Sequence, residues 1–357
     1  MRVLSLTLRD FRSYSELSLQ FSGRSSEIFI GKNGSGKTNI IEALSLLSVG
    51  RSCLRADMMD ILKFGQDFFR IQAQVETDAG ETMSLECVFQ RSPRKASAYL
   101  IQDVKTPLLS FIATLPSITF LPQDLDIFSA APSGRRSLID GLLCQLQPSY
   151  ARERVEYEHI LKQRNALLRR VGNGEASEFE LDFWDEQLAS FGLRVRRRRS
   201  DLLAAIQDAL PVELSALGEP VSTLRIETVD PARDLVADLR AQRSKDLLLQ
   251  TTSVGPHRDD WTVTADGHAI GKFFSRGQQR TAFLALLFVS ASLFSDARKE
   301  KPIILLDDVL SELDEHHQTS LLSRLSQYQV FLTTTHPIPH ITGLRTWDVA
   351  DGSVTEA

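Results

Sequence analysis

The amino-acid sequence predicts an α/β protein with a mixed sheet and an inserted helical lobe that carries a short antiparallel helical arm. Three observations predict this fold class. Apolar and polar residues alternate in the first 22 residues and again in residues 68–104, as in half-buried strands. An apolar run, a glycine-rich loop and a helical pattern follow one another between these segments. From about Ser133 to Leu202 the chain is rich in Leu, Arg, Glu and Gln at helical spacing.

The individual elements are expected in a definite order. Two antiparallel strands in the first 21 residues precede a buried strand that ends at Ile30. The helix after it ends at Gly50, an ordinary C-terminal glycine. Asp78-Ala79-Gly80 has the composition of a hairpin turn within the alternating segment. The first part of the chain is therefore expected to be an α+β lobe with an extended sheet.

Glycine and proline residues indicate where the helices of the insertion are interrupted. Gly172-Asn173-Gly174 is the expected tip between two antiparallel helices, and Pro211 and Pro220 mark the return of the chain. The pattern predicts three segments, which are residues 1–125 as the N-terminal half of lobe I, residues 126–250 as helical lobe II, and residues 251–357 as the C-terminal half of lobe I.

Composition limits the classes of protein that the chain can be. It has 357 residues, 42% hydrophobic and 24% charged, enough for more than one core. The net charge of -5 argues against a uniformly basic nucleic-acid binder, although local basic patches exist. Cys53, Cys87 and Cys144 lack a C-x-x-C pair and are expected to be buried thiols. The apolar residues 281–294 are too few to span a bilayer and no signal peptide is recognisable, so a cytoplasmic location without membrane association is expected.

The glycine-rich loop matches the phosphate-binding pattern G-x-x-x-x-G-K-[ST]. Its residues are Gly31, Lys32, Asn33, Gly34, Ser35, Gly36, Lys37 and Thr38. In such a P-loop, backbone N–H groups surround the β-phosphate of a nucleotide, Lys37 reaches the β and γ oxygens, and Thr38 offers its hydroxyl to Mg²⁺. A plain glycine turn is the alternative. The sequence therefore predicts a site for ATP and Mg²⁺.

A second cluster supplies carboxylates. The apolar residues 303–306 precede Asp307 and Asp308, as in a buried parallel strand that ends in acids, the Walker B strand of P-loop enzymes. Asp307 is expected to hold Mg²⁺ through water, and Asp308 to polarise the attacking water. A strand followed by an acid-rich turn is the alternative. Because Asp308 is one methylene shorter than the usual Glu, slow turnover is expected.

A third pattern distinguishes between classes of P-loop protein. Ser275-Arg276-Gly277-Gln278 looks like the S-x-G-Q signature of ABC-type ATPases. Ser275 can cap the helix and Gly277 lets the backbone approach an anion, so that the helix dipole, with Gln278 beside it, faces a phosphate. An ordinary capping box is the alternative. In this class the signature closes on the ATP of a partner chain, so an ATP-dependent homodimer is expected.

Further segments fit the same class. Residues 311–314 resemble the D-loop, which binds across a dimer, and His336 resembles the switch histidine that senses the γ-phosphate. The alternative for His336 is an ordinary histidine at a strand end. Gln123 lies where a Q-loop glutamine reaches the metal and joins the two lobes, with a plain loop residue as the alternative.

With these motifs placed, the chain resembles the RecF family of bacterial recombination mediators, cousins of the structural-maintenance-of-chromosomes ATPases, over essentially its whole length. The resemblance rests on residues 8–14, 31–38, 50–52, 122–140, 254–260, 275–280 and 305–314. One departure is Gln123, where this family is expected to have an acid. The fold implied is an ABC-type P-loop ATPase head with a mixed sheet and the inserted helical lobe.

The resemblance also implies a function. A family member is expected to dimerise on double-stranded or gapped DNA with ATP, and to have a weak, DNA-stimulated ATPase activity. It is expected to cooperate with RecR and RecO in loading recombinase at single-strand gaps, in replication fork maintenance and in the SOS response. Two alternatives stand beside this one, the ATPase subunit of a transporter and an architectural DNA clamp that binds ATP without useful hydrolysis. The long separation of Lys37 and Gly277 speaks against the transporter.

Basic residues are the candidates for contacts with DNA. By analogy with related heads, Arg12 is expected at the nucleotide and Arg51 at ATP or DNA, with solvated or structural roles as alternatives. The other candidates are Arg135, Arg136, Arg194, Arg196, Arg197, Arg198 and Arg199, followed by Arg164, Arg169 and Arg170. Five arginines within six residues cannot share one helix face, so some are expected to pair with acids. Phosphate contacts need only clustered donors, so binding without sequence preference is expected.

Overall fold

The computed structural model describes residues 1–22, 26–112, 114–337 and 345–357, apart from the side chain of His316. The strands are β1 (Arg2–Phe11), β2 (Tyr14–Gln20), β3 (Glu27–Ile30), β4 (Phe68–Glu76), β5 (Thr82–Gln90), β6 (Ala96–Ile101), β7 (Val104–Thr106), β8 (Ser117–Phe120), β9 (Leu224–Thr228), β10 (Trp261–Ala265), β11 (His268–Ala269), β12 (Ile303–Asp307), β13 (Val330–Thr334), β14 (Arg345–Ala350) and β15 (Ser353–Glu356). The helices are α1 (Lys37–Val49), α2 (Met58–Ile61), α3 (Leu108–Phe111), α4 (Pro132–Leu146), α5 (Pro148–Gly172), α6 (Leu181–Ala216), α7 (Leu235–Ala241), α8 (Arg243–Leu249), α9 (Ile270–Phe273), α10 (Arg276–Arg298) and α11 (Glu315–Leu325). Short 3₁₀ turns are formed by Pro122–Asp126, Glu178–Glu180 and Val309–Glu312.

The chain divides into two compact units. Unit 1 comprises Met1–Leu125 and Arg280–Ala357, and unit 2 comprises Asp126–Gln279. The insertion begins where the sequence predicts it, but it ends at Gln279 rather than at residue 250. The reason is that β10 pairs with β9 in a three-stranded sheet with order β11-β10-β9, which ties residues after 250 to unit 2.

Unit 1 contains two six-stranded sheets. The antiparallel sheet has the order β2-β1-β4-β5-β6-β7, and the predicted turn at residues 78–80 joins β4 to β5. The mixed sheet has the order β15-β14-β3-β13-β12-β8. All its pairs are parallel except the pair of β14 with the edge strand β15. The carboxyl ends of β3, β13 and β12 therefore meet at one edge of the mixed sheet, as ligand sites in parallel sheets require.

Helix α1 belongs to the core of unit 1. It contacts β4 and β5 of the antiparallel sheet as well as β12 and β13 of the mixed sheet. Ile40, Ile41, Leu44 and Leu47 are fully buried as a result. The helix ends where the sequence predicts, because Gly50 adopts a left-handed conformation with φ of 66° and donates its N–H to Leu46 O at 2.9 Å.

Unit 2 is built around the pair α5 and α6. The helices are antiparallel, since Arg164 on α5 contacts Asp185 on α6 whereas the earlier Tyr150 contacts the later Arg199. The predicted tip at residues 172–174 is confirmed, because α5 ends at Gly172 and α6 follows. The expectation that Pro211 marks the return of the chain is wrong, since α6 continues to Ala216.

Helix α10 and the cysteines are relevant to the cytoplasmic location that the sequence predicts. Helix α10 is longer than the apolar segment suggested, and by length and composition alone it qualifies as a candidate membrane span. Its most apolar window is 67% buried within the structure, which is typical of a core helix. The three cysteines are free thiols, of which Cys87 is buried and Cys53 and Cys144 are half-buried.

Candidate functional site

An open cleft of about 250 Å³ lies in unit 1 at the carboxyl ends of the central parallel strands. Its lining residues are Asn33, Gly34, Gly36, Lys37, Thr38, Asn39, Pro122, Asp307, Asp308 and Thr333. The cleft thus brings together the glycine-rich loop and the two carboxylates that the sequence places 270 positions apart in separate motifs. A cleft at this edge of a parallel sheet is where α/β proteins bind ligands.

The loop between β3 and α1 needs glycine at its turning points. Gly34 and Gly36 have φ angles of 82° and 112°, which side chains rarely adopt. A Cβ on Gly31 would lie 2.2 Å from the backbone oxygen of Val349, so only hydrogen fits there. The Ser35 hydroxyl is buried and has no hydrogen-bond partner among the described residues. The loop therefore has an unused polar group beside the free N–H groups of a helix N-terminus.

A tyrosine that the sequence analysis did not assign to the site supports the loop. Tyr14 is fully buried and donates its hydroxyl to Gly36 O at 3.1 Å. Burial raises the pKa of this phenol, so the hydroxyl remains a donor at physiological pH. A Cβ on Gly36 would lie 2.8 Å from the same hydroxyl. The sequence signal for Tyr14 was its place in the Phe11-Arg12-Ser13-Tyr14 segment. This segment contributed to the family resemblance, but the sequence assigned no role to Tyr14.

Lys37 curls back over the loop. Its Nζ donates to Gly31 O at 2.7 Å and to Lys32 O at 2.9 Å. Burial lowers the pKa of Lys37, and the negative charges of Asp308 and Asp307 oppose this shift. The ammonium group is therefore preorganised at the edge of the cleft.

The carboxylates and hydroxyls form one hydrogen-bonded group. Thr38 Oγ1 donates to Asp307 Oδ1 at 2.9 Å, and Thr333 Oγ1 donates to the same oxygen at 2.6 Å. Asp308 follows β12 with a left-handed φ of 46°, and Ser311 Oγ donates to its Oδ1 at 2.5 Å. Carboxylate and hydroxyl oxygens are hard ligands that Mg²⁺ prefers. The glycine cradle, the unpartnered Ser35 hydroxyl and this donor set fit a nucleotide phosphate with Mg²⁺.

Arg12 lies in an ion pair. Its Nε and Nη2 each donate to the buried carboxylate of Glu42 at 2.7 Å, and Nη1 donates to Asp60 O at 2.9 Å. The hydrogen bonds to Glu42 raise the pKa of the guanidinium, although burial opposes them. In this structure Arg12 therefore has a structural contact with Glu42, which is the alternative that the sequence left open beside contact with the nucleotide. Arg51 is exposed.

The signature segment lies in unit 2 and has the geometry of a capping box. Ser275 N–H donates to Gln278 Oε1 at 3.0 Å, and Gln278 N–H donates to Ser275 Oγ at 3.2 Å. Ser275 and Gly277 are exposed at the start of α10. Ser275 and Gln278 therefore form the capping box that the sequence allowed as an alternative. The N-terminus of α10 remains exposed to solvent.

The remaining predicted residues are placed as follows. His336 is exposed just after β13, where Thr334 Oγ1 accepts its N–H at 3.3 Å and donates to its carbonyl at 3.1 Å. Gln123 is exposed in the turn Pro122–Asp126, and its neighbour Pro122 lines the cleft. In the D-loop segment, Asp314 caps α11 by accepting the N–H of His317 at 2.9 Å.

Several of the candidate arginines in unit 2 are engaged in buried ion pairs. Arg135 pairs with Asp260 at 2.6 Å, Arg196 with Asp259 at 2.6 Å, and Arg199 with Asp140 at 2.8 Å. Arg164 is fully buried between Asp185 and Asp246, at 2.7 Å from each. Arg136 donates to Asp259 O at 2.8 Å. These side chains hold unit 2 together.

Four other candidate arginines of α5 and α6 are exposed, and Arg198 is partly buried. Arg194 and Arg197 are exposed on α6, and Arg198 lies 3.8 Å from Glu153. Arg169 and Arg170 are exposed at the end of α5. The arginines at residues 194–199 are therefore divided between the exposed and the buried face of α6, as the helical spacing predicts.

The fold and the cleft define an ABC-type P-loop ATPase head with an inserted helical lobe. The family model described as the RecF/RecN/SMC N terminal domain matches residues 2–343. The chain is 33% identical to the DNA replication and repair protein RecF of Heliobacterium modesticaldum, over 94% of this chain and 93% of the relative. It is 32% identical to RecF of Streptococcus thermophilus, over 98% of each chain. The chain belongs to the RecF family.

Solved structures agree with this assignment. A structure of the recombination mediator protein RecF with ATP, described in the RecFOR pathway, superposes with a TM-score of 0.91 at 26% identity, covering 100% of this chain and 97% of the other. An Smc head bound to the C-winged helix domain of ScpA superposes with a TM-score of 0.57 at 16% identity, covering 100% and 97%. The second likeness shows that the fold is shared with Smc heads.

Proposed function

We propose that this protein is an ATP-dependent DNA-binding switch that acts in the repair of single-strand gaps, in replication fork maintenance and in SOS induction. The observation that carries the proposal is the single cleft in which Lys37 and Thr38 of the P-loop meet Asp307 and Asp308 of the Walker B strand. The RecF relatives are DNA replication and repair proteins, and a RecF structure has been solved with ATP, which supports the same conclusion.

Each residue of the cleft has a role in this proposal. The backbone N–H groups of residues 31–38 and the Lys37 ammonium bind the phosphates of ATP. Thr38 and Asp307 hold Mg²⁺, which neutralises phosphate charge when bound, with Gln123 as a further ligand. Asp308 polarises the attacking water and His336 senses the γ-phosphate. Arg12 reaches the nucleotide only when its pair with Glu42 opens.

Dimerisation follows from the signature segment. The exposed N-terminus of α10 carries a positive partial charge, and Ser275, Gly277 and Gln278 surround it. In the proposed dimer this end of one copy faces the γ-phosphate held by the other copy, so ATP joins two chains. The dimer is a slow ATPase that works in the cytoplasm with RecR, RecO and the recombinase.

Exposed basic side chains make the proposed contacts with DNA. The exposed candidates include Arg51, Arg194 and Arg197. Carboxylates neutralise Arg135, Arg196 and Arg199. Phosphates require only clustered donors, so duplex or gapped DNA is bound without sequence preference.

The test is the molecular mass in solution without nucleotide, with ADP, and with ATP and Mg²⁺, each with and without a duplex oligonucleotide. We expect the mass to double with ATP and the dimer to be stabilised by duplex. A monomer under every condition would contradict the proposal. ATP hydrolysis is measured alongside, and a DNA-bound dimer that never hydrolyses ATP would favour the architectural clamp.

Ser275→Arg tests the assignment of the signature to a partner's site. The added cation and bulk should prevent doubling of the mass while leaving the ATP affinity of the monomer unchanged, as measured with a fluorescent ATP analogue. Because Arg also removes the capping hydroxyl, Ser275→Ala serves as the matched control and should retain most of the dimer. Loss of ATP affinity in monomeric Ser275→Arg would contradict contact in trans.

A further inference from the structure

Strand β13 contributes a residue to the cleft that no P-loop pattern identifies. β13 lies between β3, which leads into the P-loop, and β12, which ends at Asp307. Its last two residues, Thr333 and Thr334, are both buried. Thr333 lines the cleft beside the carboxylates.

The Thr333 hydroxyl bonds to both acidic residues at once. It donates its only proton to Asp307 Oδ1 at 2.6 Å and accepts the backbone N–H of Asp308 at 2.9 Å. A hydroxyl has one donor and two acceptor sites, so these two bonds are compatible and fix the direction of the proton. The β-branched side chain restricts χ1, which limits where the oxygen can move. The Thr333 hydroxyl oxygen therefore fixes the orientation of the Asp307 carboxylate and the position of the Asp308 backbone N–H.

The conformation of Asp308 makes this second bond important. A left-handed φ of 46° is uncommon outside glycine, although Asp adopts it more readily than most residues, and surrounding contacts must stabilise it. Among the residues that the structure describes, the Asp308 N–H donates to Thr333 alone, to Oγ1 at 2.9 Å and to the carbonyl oxygen at 3.2 Å. Asp307, in turn, receives hydroxyl protons from Thr38 and Thr333. Because Thr38 is the expected metal ligand, Thr333 is the donor that remains to orient Asp307.

We infer that Thr333 is a positioning residue for ATP hydrolysis, which holds Asp307 toward the metal and Asp308 toward the water. The inference rests on the proposed ATP site. Partners that orient a metal-binding carboxylate typically contribute 10- to 100-fold to metal affinity or activity. Thr333 acts through the carboxylates and is not assigned a contact with the nucleotide.

Thr333→Val removes the hydroxyl and keeps the shape. ATP affinity is measured in EDTA and in a titration with Mg²⁺, and the hydrolysis rate is followed across the same titration. We expect unchanged affinity in EDTA, a Mg²⁺ midpoint that is higher and a rate that is lower by about 10- to 100-fold. Thr333→Ser restores the hydroxyl and should recover most of the loss. Thr119→Val, on the edge strand β8, controls for the loss of a threonine hydroxyl elsewhere in the same sheet.

The possible outcomes separate the two proposals. A wild-type protein that fails to bind ATP overturns the proposed function itself. If the wild type hydrolyses ATP and Thr333→Val has the same Mg²⁺ midpoint and rate, only the role of Thr333 is overturned. Should the valine variant not fold, Thr333→Ala and Thr333→Ser are compared, and equal Mg²⁺ dependence in these two also overturns it.

Discussion

The cleft of unit 1 and the arginine network of unit 2 use similar polar side chains in opposite ways. In the cleft, Lys37 and Asp307 line an open space that a ligand can enter. In unit 2, Arg164 is enclosed by Asp185 and Asp246, and all three side chains are fully buried. A charged side chain therefore indicates a binding site only where a ligand can reach it. A charge that is already neutralised inside the protein marks a structural contact.

The largest effect is expected at Lys37, on the binding side of the comparison. Lys37→Arg should lower ATP affinity by at least about 100-fold, because a planar guanidinium does not fit where Nζ meets Gly31 O and Lys32 O. The fold should be retained, since the loop is held by its glycines and Tyr14. The affinity is measured with a fluorescent ATP analogue and the fold by circular dichroism. Wild-type affinity in a folded variant would remove Lys37 from the site.

In unit 2, Arg164→Ala should lower the free energy of unfolding by about 3–5 kcal/mol. The buried carboxylate of Asp246 loses its cation, and Asp185 keeps only its second partner, Arg243. Arg169→Ala, one turn later on α5 and exposed, is the matched control and should change it by less than about 0.5 kcal/mol. Denaturant titration measures both variants. If the two variants are equally stable, the buried network does not hold unit 2 together.

The smallest effect is expected for the exposed arginines of residues 194–199, which are compared with a paired arginine of the same segment. Replacing Arg194 and Arg197 together by Ala should leave stability unchanged and reduce the salt dependence of DNA binding, with a decrease of about 2 in the slope of log K against log salt. Arg199→Ala should instead destabilise unit 2, because Asp140 loses its nearer cation and keeps only Arg154 at 3.6 Å. DNA affinity is measured at several salt concentrations. An unchanged slope in the double variant would place the DNA on another surface.

Local sequence patterns identified the two segments that line the cleft of unit 1. The P-loop and the Walker B strand are contiguous segments in which backbone spacing alone determines which groups face the cleft. The same holds for the hairpin turn at residues 78–80. Each of these features depends on neighbours in the sequence, so one sequence suffices to predict it.

Contacts between distant segments were not predictable in this way. Thr333 reaches Asp307 because β13 and β12 are paired, and Tyr14 reaches Gly36 from another strand. The acids that neutralise Arg196 and Arg199 lie 63 and 59 positions away. Spacing predicted that some of the arginines would be paired, but it did not identify their partners. The end of the insertion at Gln279 likewise depends on the pairing of β9 with β10.

The placement of α1 between the two sheets of unit 1 has a consequence for how this unit opens. The helix that follows the P-loop is part of both cores, so the amide protons in its middle have no route to solvent by fraying of one sheet alone. We expect the buried middle of α1, around Leu44 and Leu47, to exchange its amide protons only in large openings of unit 1, whereas the first turn at the cleft exchanges faster. A ligand bound at the phosphate-binding loop should therefore slow exchange in the middle of α1 by stabilising unit 1 as a whole.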